Sequence, residues 1–245
     1  DLAANMWVNE AELNGEPGKD NDGNGVRNDV YGYNGRTRDG NIEPGSHGTH
    51  VAGTIAATNN NGIGVCGVAG GTGNGDGVRL MSCQIFGPDN TGGDYPDVYR
   101  HAADNGAVIA SNSWVLSMEK MPEDVGAAID YFIATAGTDE NGVQRGPMKG
   151  GICIFAAGNY NNSGPSYVGR IWYPAADERV IAVTAMGPDY KKTDYSQYGQ
   201  HADIMAPGGE DTDGYGCGVY STLTDGGYGY LSGTSMATPH TAGVA

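Results

Sequence analysis

Ser235 lies in Gly233-Thr234-Ser235-Met236-Ala237-Thr238-Pro239-His240, where a hydroxyl opens a run of small residues. That pattern puts it at a helix N-terminus, whose free backbone N–H groups favour negative charge. By itself, a serine in front of a helix is an ordinary cap. A second segment, Ser46-His47-Gly48-Thr49-His50-Val51, sets an imidazole at another helix start. Such a group takes a proton from a serine hydroxyl and returns it to a leaving amine. In a third, Ala156-Ala157-Gly158-Asn159, an apolar run ends in glycine and a side-chain amide that can donate to the oxyanion of a tetrahedral intermediate. Taken singly, the histidine is a cap or core residue and the asparagine a turn former. Together they supply a nucleophile, a base and an oxyanion donor, the parts needed for acyl transfer.

An α/β sheet gathers such groups on loops beyond the carboxyl ends of its strands, and the chain alternates accordingly. Apolar runs at 78–86, 107–114, 151–157 and 179–186 suit parallel strands buried on both faces. Between them, 95–105 and 123–137 carry apolar residues three and four apart, which predicts helices, as does the stretch from His47 to Ala57 with Ser46 as its N-cap. The class is α/β with right-handed crossovers and one domain over residues 1–245. Residues 2–41 are polar and rich in Asn, Asp and Gly, predicting a long ordered loop tethered by a cation rather than by a core. The first residues hold no basic or apolar leader, and the last, Thr-Ala-Gly-Val-Ala, fall inside a helical pattern, so the chain is expected to be an excerpt truncated at both ends.

Composition narrows the partners. Lys+Arg 13 against Asp+Glu 29 leaves a formal charge of −16, which repels nucleic acid and anionic membranes and suits Ca²⁺, a cation that seeks carboxylate and carbonyl oxygens. No apolar run is long enough to span a bilayer. The 43 glycines follow no fixed period, excluding collagen and solenoid repeats. Cys66, Cys83, Cys153 and Cys217 match no zinc or CxxC spacing, and Cys83 and Cys153 sit in apolar runs where a buried free thiol is expected.

The segments HGTHVAGT, AAGN and GTSMATPH, in that order, resemble the subtilisin-like serine peptidases over essentially the whole chain. The resemblance implies a three-layer α/β/α fold with a mainly parallel central sheet. It makes Ser235 the nucleophile, His47 the general base and Asn159 the oxyanion-hole side chain of a serine endopeptidase; His50 and His240 are structural. Such enzymes order their triad Asp, His, Ser. In the family the aspartate precedes a His-Pro-Asp-Leu stretch, and Asp1-Leu2 looks like its end, so the triad aspartate is expected upstream of residue 1. Asp22-Gly23 and Asp39-Gly40 are rejected because neither ends an apolar strand. Residues 1–245 alone are expected to be nearly inactive, since a triad without its aspartate loses about 10⁴ in turnover.

Asp20, Asp22 and Asn24 alternate oxygen ligands before Gly25 as the first half of an EF-hand loop does, with the Val26 carbonyl and Asp29 completing the shell. Position twelve is Tyr31, not a glutamate, so a single-loop calcium site is expected. The resemblance implies another site in which Asn61 by side chain, Asn59, Ile63 and Val65 by carbonyl, and Asp1 by carboxylate hold Ca²⁺. It also implies substrate added as a strand along Ser113, Trp114 and Val115, where the family commonly has glycine at the position of Val115. Gly158 and Trp172 fall in the primary pocket, whose depth a bulky indole shortens. The expected partners are protein or peptide substrates and an N-terminal inhibitory propeptide, and the expected state is a secreted or extracytoplasmic monomer. The rival is a catalytically inactive module of the same fold that binds calcium or protein. A metallohydrolase on His47 and His50 lacks the HExxH glutamate, and a lipase-like elbow would need G-x-S-x-G where the chain has G-T-S-M-A.

Overall fold

The computed structural model describes residues 1–245 except 88, 90, 140, 211–216 and the side chain of Asn162. In chain order the elements are α1 (Glu10–Asn14), β1 (Gly32–Asn34), α2 (Ser46–Ala56), β2 (Ser82–Gln84), α3 (Tyr95–Asp104), β3 (Ile109–Asn112), α4 (Glu123–Thr135), β4 (Ile152–Ala156), β5 (Ile181–Met186), β6 (Ile204–Pro207), β7 (Val219–Thr222), β8 (Tyr228–Leu231) and α5 (Thr234–Val244). Strands β3-β4-β5-β6 form a parallel sheet in that order, with Ile109 opposite Ile152 and Val183 opposite Ile204. β1 and β2 make a separate parallel pair, and β7 and β8 an antiparallel hairpin.

Strand side chains alternate between faces, and β4 shows what that does. Cys153 and Phe155 enter one core with Val98, Tyr99, Ile129 and Phe132 of α3 and α4, while Ile154 enters the other with Ile55 of α2 and Ala237 and Ala242 of α5. Both sheet faces are therefore covered and the layers are α/β/α. Phe132, Phe155, Ile129 and Ile154 are fully buried; truncating a buried phenylalanine to alanine costs roughly 3–5 kcal/mol. Helix α3 starts where Asp94 accepts from the Asp97 N–H with Pro96 in the first turn, a combination that satisfies one orphan donor and needs none from the proline.

Three local expectations are corrected. The N-terminal stretch is not all loop: Asn9 caps α1 by accepting from the N–H groups of Ala11 and Glu12, and Tyr33 of β1 enters the core. These elements are too short for periodicity to register. The 78–86 run changes partner midway, since Leu80 pairs with the Asn5–Trp7 segment and only Ser82–Gln84 pair with β1. Finally, Gly45 rather than Ser46 is the N-cap of α2, in an extended conformation, and the Ser46 hydroxyl lies 3.2 Å from that of Thr224.

Candidate active site

At the sheet's carboxyl edge the segments that follow β3 and β4 meet the first turn of α5, and α2 packs on α5. Ser235 is the second residue of α5. Its Oγ donates to the Ser113 carbonyl at 3.2 Å, and Ser113 Oγ donates back to the Ser235 carbonyl at 2.8 Å. This reciprocal pair locks the first turn of α5 to the segment that leaves β3. The Ser235 N–H has no acceptor among the described residues, as expected of a first-turn donor.

Asn159 supplies the second free donor. Its Oδ1 accepts from both the N–H and the hydroxyl of Thr234, each at 2.8 Å, and this settles which end of the amide is which. Nδ2 is left exposed and unpaired among the described residues. Thr234, 1% exposed, also accepts from the Gly158 N–H at 3.1 Å. It is thus the joint between the end of β4 and the start of α5. Sequence reasoning passed over it although it stands beside Ser235. Gly233 completes the arrangement, because a Cβ there would lie 3.2 Å from Asn159 Nδ2 and 3.6 Å from Ser235 N. The bare glycine leaves open a space bordered by both donors.

His47 is the second residue of α2, which packs on α5. Its ring is solvent-exposed on one side, while the protein beside it and then neighbouring His50 disfavour the imidazolium and lower its pKa. Among the described residues it makes no hydrogen bond and no carboxylate reaches it. Asp22 is engaged by Asn9 and Asn24, and Asp39 by Thr37 and Asn41. His50 Nε2 sits 3.0 Å from the Val219 carbonyl and 3.1 Å from that of Gly229, tying α2 to the β7–β8 hairpin, and His240 Nδ1 sits 2.8 Å from the Met236 carbonyl. Both rings are in structural positions.

Beyond Ser113, the main-chain groups of Trp114 and Val115 make no hydrogen bond among the described residues, so an unpaired edge faces the site. The Trp114 indole turns inward onto Phe86, Tyr95 and Phe155. Leu116 and Met118 pair with Tyr173, which brings Trp172 beside this segment. The Trp172 ring stacks on Tyr167 at 5.5 Å, and its Nε1 is buried without an acceptor among the described residues. Gly158 is buried at φ +109°.

The two loops singled out for calcium behave differently. Carboxylate oxygens of Glu12, Asp20 and Asp22 lie within 4.8 Å of one another, a hard-oxygen set that fits Ca²⁺. Asn24 reaches Asp22 and Asp29 through Nδ2, and the Val26 N–H donates to Asn24 Oδ1. Asp29 is fully buried, and that burial raises its pKa, with the charges of Asp22 and Glu12 adding to the effect. Glu12 was invisible to a spacing argument because it comes from α1, outside the loop. In the other loop, the Asp1 carboxylate accepts from Asn61 Nδ2 at 2.6 Å, Val65 N at 3.1 Å and the Tyr228 hydroxyl at 3.2 Å. The structure thus brings Asp1, Asn61 and Val65 together. The Ile63 N–H turns to Asn61 Oδ1, and the Asn59 amide turns away to the Gly71 carbonyl.

A helix-borne serine, a helix-borne histidine and a strand-terminal amide on a three-layer parallel α/β fold define the class of subtilisin-fold serine peptidases. The subtilase family model matches residues 5–245, and the chain belongs to that family. It is 34% identical over 202 residues to the thermophilic serine proteinase of Bacillus sp. strain AK1, covering 82% of this chain and 41% of that protein. It is 35% identical over 211 residues to subtilisin Savinase of Lederbergia lenta, covering 85% and 63%. Among solved structures, a protease of Pseudoalteromonas arctica PAMC 21717 superposes with a TM-score of 0.62 at 29% identity, over 86% of this chain and 60% of that one. The chain therefore spans less than two thirds of the length of these relatives. No described helix is long and apolar enough to cross a membrane.

Proposed function

We propose that the protein carrying this domain is a serine endopeptidase that hydrolyses peptide bonds through an acyl-enzyme on Ser235. The observation that carries the reading is the pair of free donors, Ser235 N–H and Asn159 Nδ2, bordering the space beside Gly233. Substrate adds as a strand along Ser113, Trp114 and Val115. His47 takes the Ser235 proton as the hydroxyl attacks the scissile carbonyl, and the two donors hold the resulting oxyanion. His47 then protonates the leaving amine, and water attacks the ester by the reverse path. The Ser235 hydroxyl must first leave the Ser113 carbonyl for His47, a shift of the kind that substrate binding commonly brings about. A carboxylate beside His47 would hold the imidazole in the right tautomer. Ca²⁺, held by Glu12, Asp20, Asp22, Asn24, Asp29 and the Val26 carbonyl, would neutralise a crowded set of carboxylates and order the loop. A second ion would bind at Asp1, Asn61 and Val65, with the Asn59 and Ile63 carbonyls. We place the protein outside the cytoplasm as a monomer made with a propeptide.

The hydrogen bond of Ser235 to Ser113, in place of one to His47, is what the inactive binding-module reading would favour. A fluorophosphonate separates the two. The full-length protein that carries this domain should gain one adduct by intact mass, lost in Ser235→Ala; folded, calcium-loaded full-length protein that gains none would sink the peptidase reading.

A further inference from the structure

We infer that Gln197 is a positioning residue that ties the oxyanion-hole loop to the wall of the primary pocket. The inference rests on the peptidase reading of Ser235 and Asn159. Gln197 belongs to no helix or strand, yet it is 1% exposed, an unusual place for a primary amide unless its polar ends are engaged. Its N–H donates to the Gly158 carbonyl at 2.9 Å, and its Nε2 donates to the Arg170 carbonyl at 2.8 Å. Oε1 packs against the Cα of Gly158 so closely that a Cβ there would collide with it. One side chain therefore touches both the residue preceding Asn159 and the segment that runs from Arg170 to Trp172.

The connection to the reacting atoms runs through the Gly158 peptide. Thr234 Oγ1 accepts from the N–H of Gly158 at 3.1 Å, while Gln197 N–H holds its carbonyl. With the peptide groups on both sides of Gly158 held, the path of Asn159 out of β4 is set, and with it the aim of Nδ2. The Gln197 turn is itself braced, because the Lys192 ammonium donates to the carbonyls of Thr193 at 2.6 Å and Ser196 at 3.4 Å. Removing the side-chain amide of Gln197 keeps the main-chain bond to the Gly158 carbonyl but takes away both the packing of Oε1 on Gly158 and the tie to Arg170, so the oxyanion donor and the pocket wall should loosen together. A residue that only filled space would not link those two properties.

The test is a double-mutant cycle of Gln197→Leu with Asn159→Ala in the full chain. Rates are normalised to sites titrated by a fluorophosphonate, and two peptide anilides differing only in the P1 side chain serve as substrates. We expect Gln197→Leu to lower kcat on the order of tenfold, a fraction of the 10²–10³ lost with a whole oxyanion donor. With Asn159 already alanine the loss should shrink below about twofold, and the ratio of kcat/KM for the two anilides should shift severalfold. That ratio does not depend on how much enzyme is folded. An equal loss in both backgrounds with an unchanged ratio, or no loss at all, would overturn the inference. Gln197→Glu keeps the length and volume and is read in the same cycle if the leucine variant does not fold. If the unsubstituted full-length protein neither labels nor turns over, the peptidase reading fails and this inference fails with it; if it does both and only the cycle is additive, this inference alone is lost.

Discussion

At the scale of single residues, the site depends as much on absent atoms as on present ones. Among the described residues Asn159 Nδ2 and the Ser235 N–H each lack an acceptor, because Thr234 takes the asparagine's oxygen and the helix start leaves the serine's amide unpaired. Gly233 keeps the space between them clear. We predict that Gly233→Ala, which places a methyl beside both donors, lowers kcat on the order of 10²–10³-fold, as loss of an oxyanion donor does. KM should change less if substrate binds along the Ser113–Val115 edge as proposed. Steady-state kinetics on the full chain decide the matter, and an alanine variant with unaltered kcat would show that the oxyanion forms elsewhere.

At the scale of elements, the strands bury groups whose chemistry is thereby silenced. Cys153 on β4 lies 1% exposed in the core beneath α3 and α4, and burial pushes its thiol up to about 12; burial does the same to Cys83 on β2. Only a thiolate alkylates. At pH 8, iodoacetamide followed by intact mass should modify exposed Cys66, whereas Cys83 and Cys153 should react only after denaturation. Rapid alkylation of Cys153 in folded protein would contradict its placement. The same shift sets a pH dependence. Both states hold neutral thiols below pH 9.0, the ordinary value, so the buried thiols' contribution is complete there. Above it the unfolded chain ionises first, and stability is lost progressively as pH rises toward about 12. Denaturant unfolding of Cys153→Ala should therefore show a shallower alkaline loss than the parent, measured as a difference between pH 8 and pH 10.

At the scale of the molecule, a formal charge of −16 must be reconciled with a folded chain that gathers carboxylates. Glu12, Asp20, Asp22 and Asp29 converge from α1 and the following loop, and mutual repulsion there opposes folding until a cation enters. A ligand at a hundred times its dissociation constant stabilises by about 2.7 kcal/mol. Calcium should raise Tm and a chelator lower it. Glu12→Gln should shrink the calcium-dependent gain while raising the Tm measured in chelator, because it removes repulsion as well as a ligand. Identical Tm values with and without calcium in the parent would remove calcium from both loops.

The sequence alone determined the fold class and where His47, Asn159 and Ser235 lie relative to helix starts and a strand end, for a physical reason: short apolar runs, period-3.6 apolar patterns and turn-forming glycines act over a few residues and are written locally. Phe155 and Ile154 alternate between cores as their run predicted, and His47, Asn159 and Ser235 sit at the ends of elements as their neighbours implied. What local pattern could not decide was pairing over distance. Leu80 and Ser82 take different partners within one apolar run, Glu12 joins carboxylates from another segment, and Gln197 reaches both Gly158 and Arg170. Those choices follow from how layers pack and which buried polar group finds a partner, and only the tertiary structure holds that information.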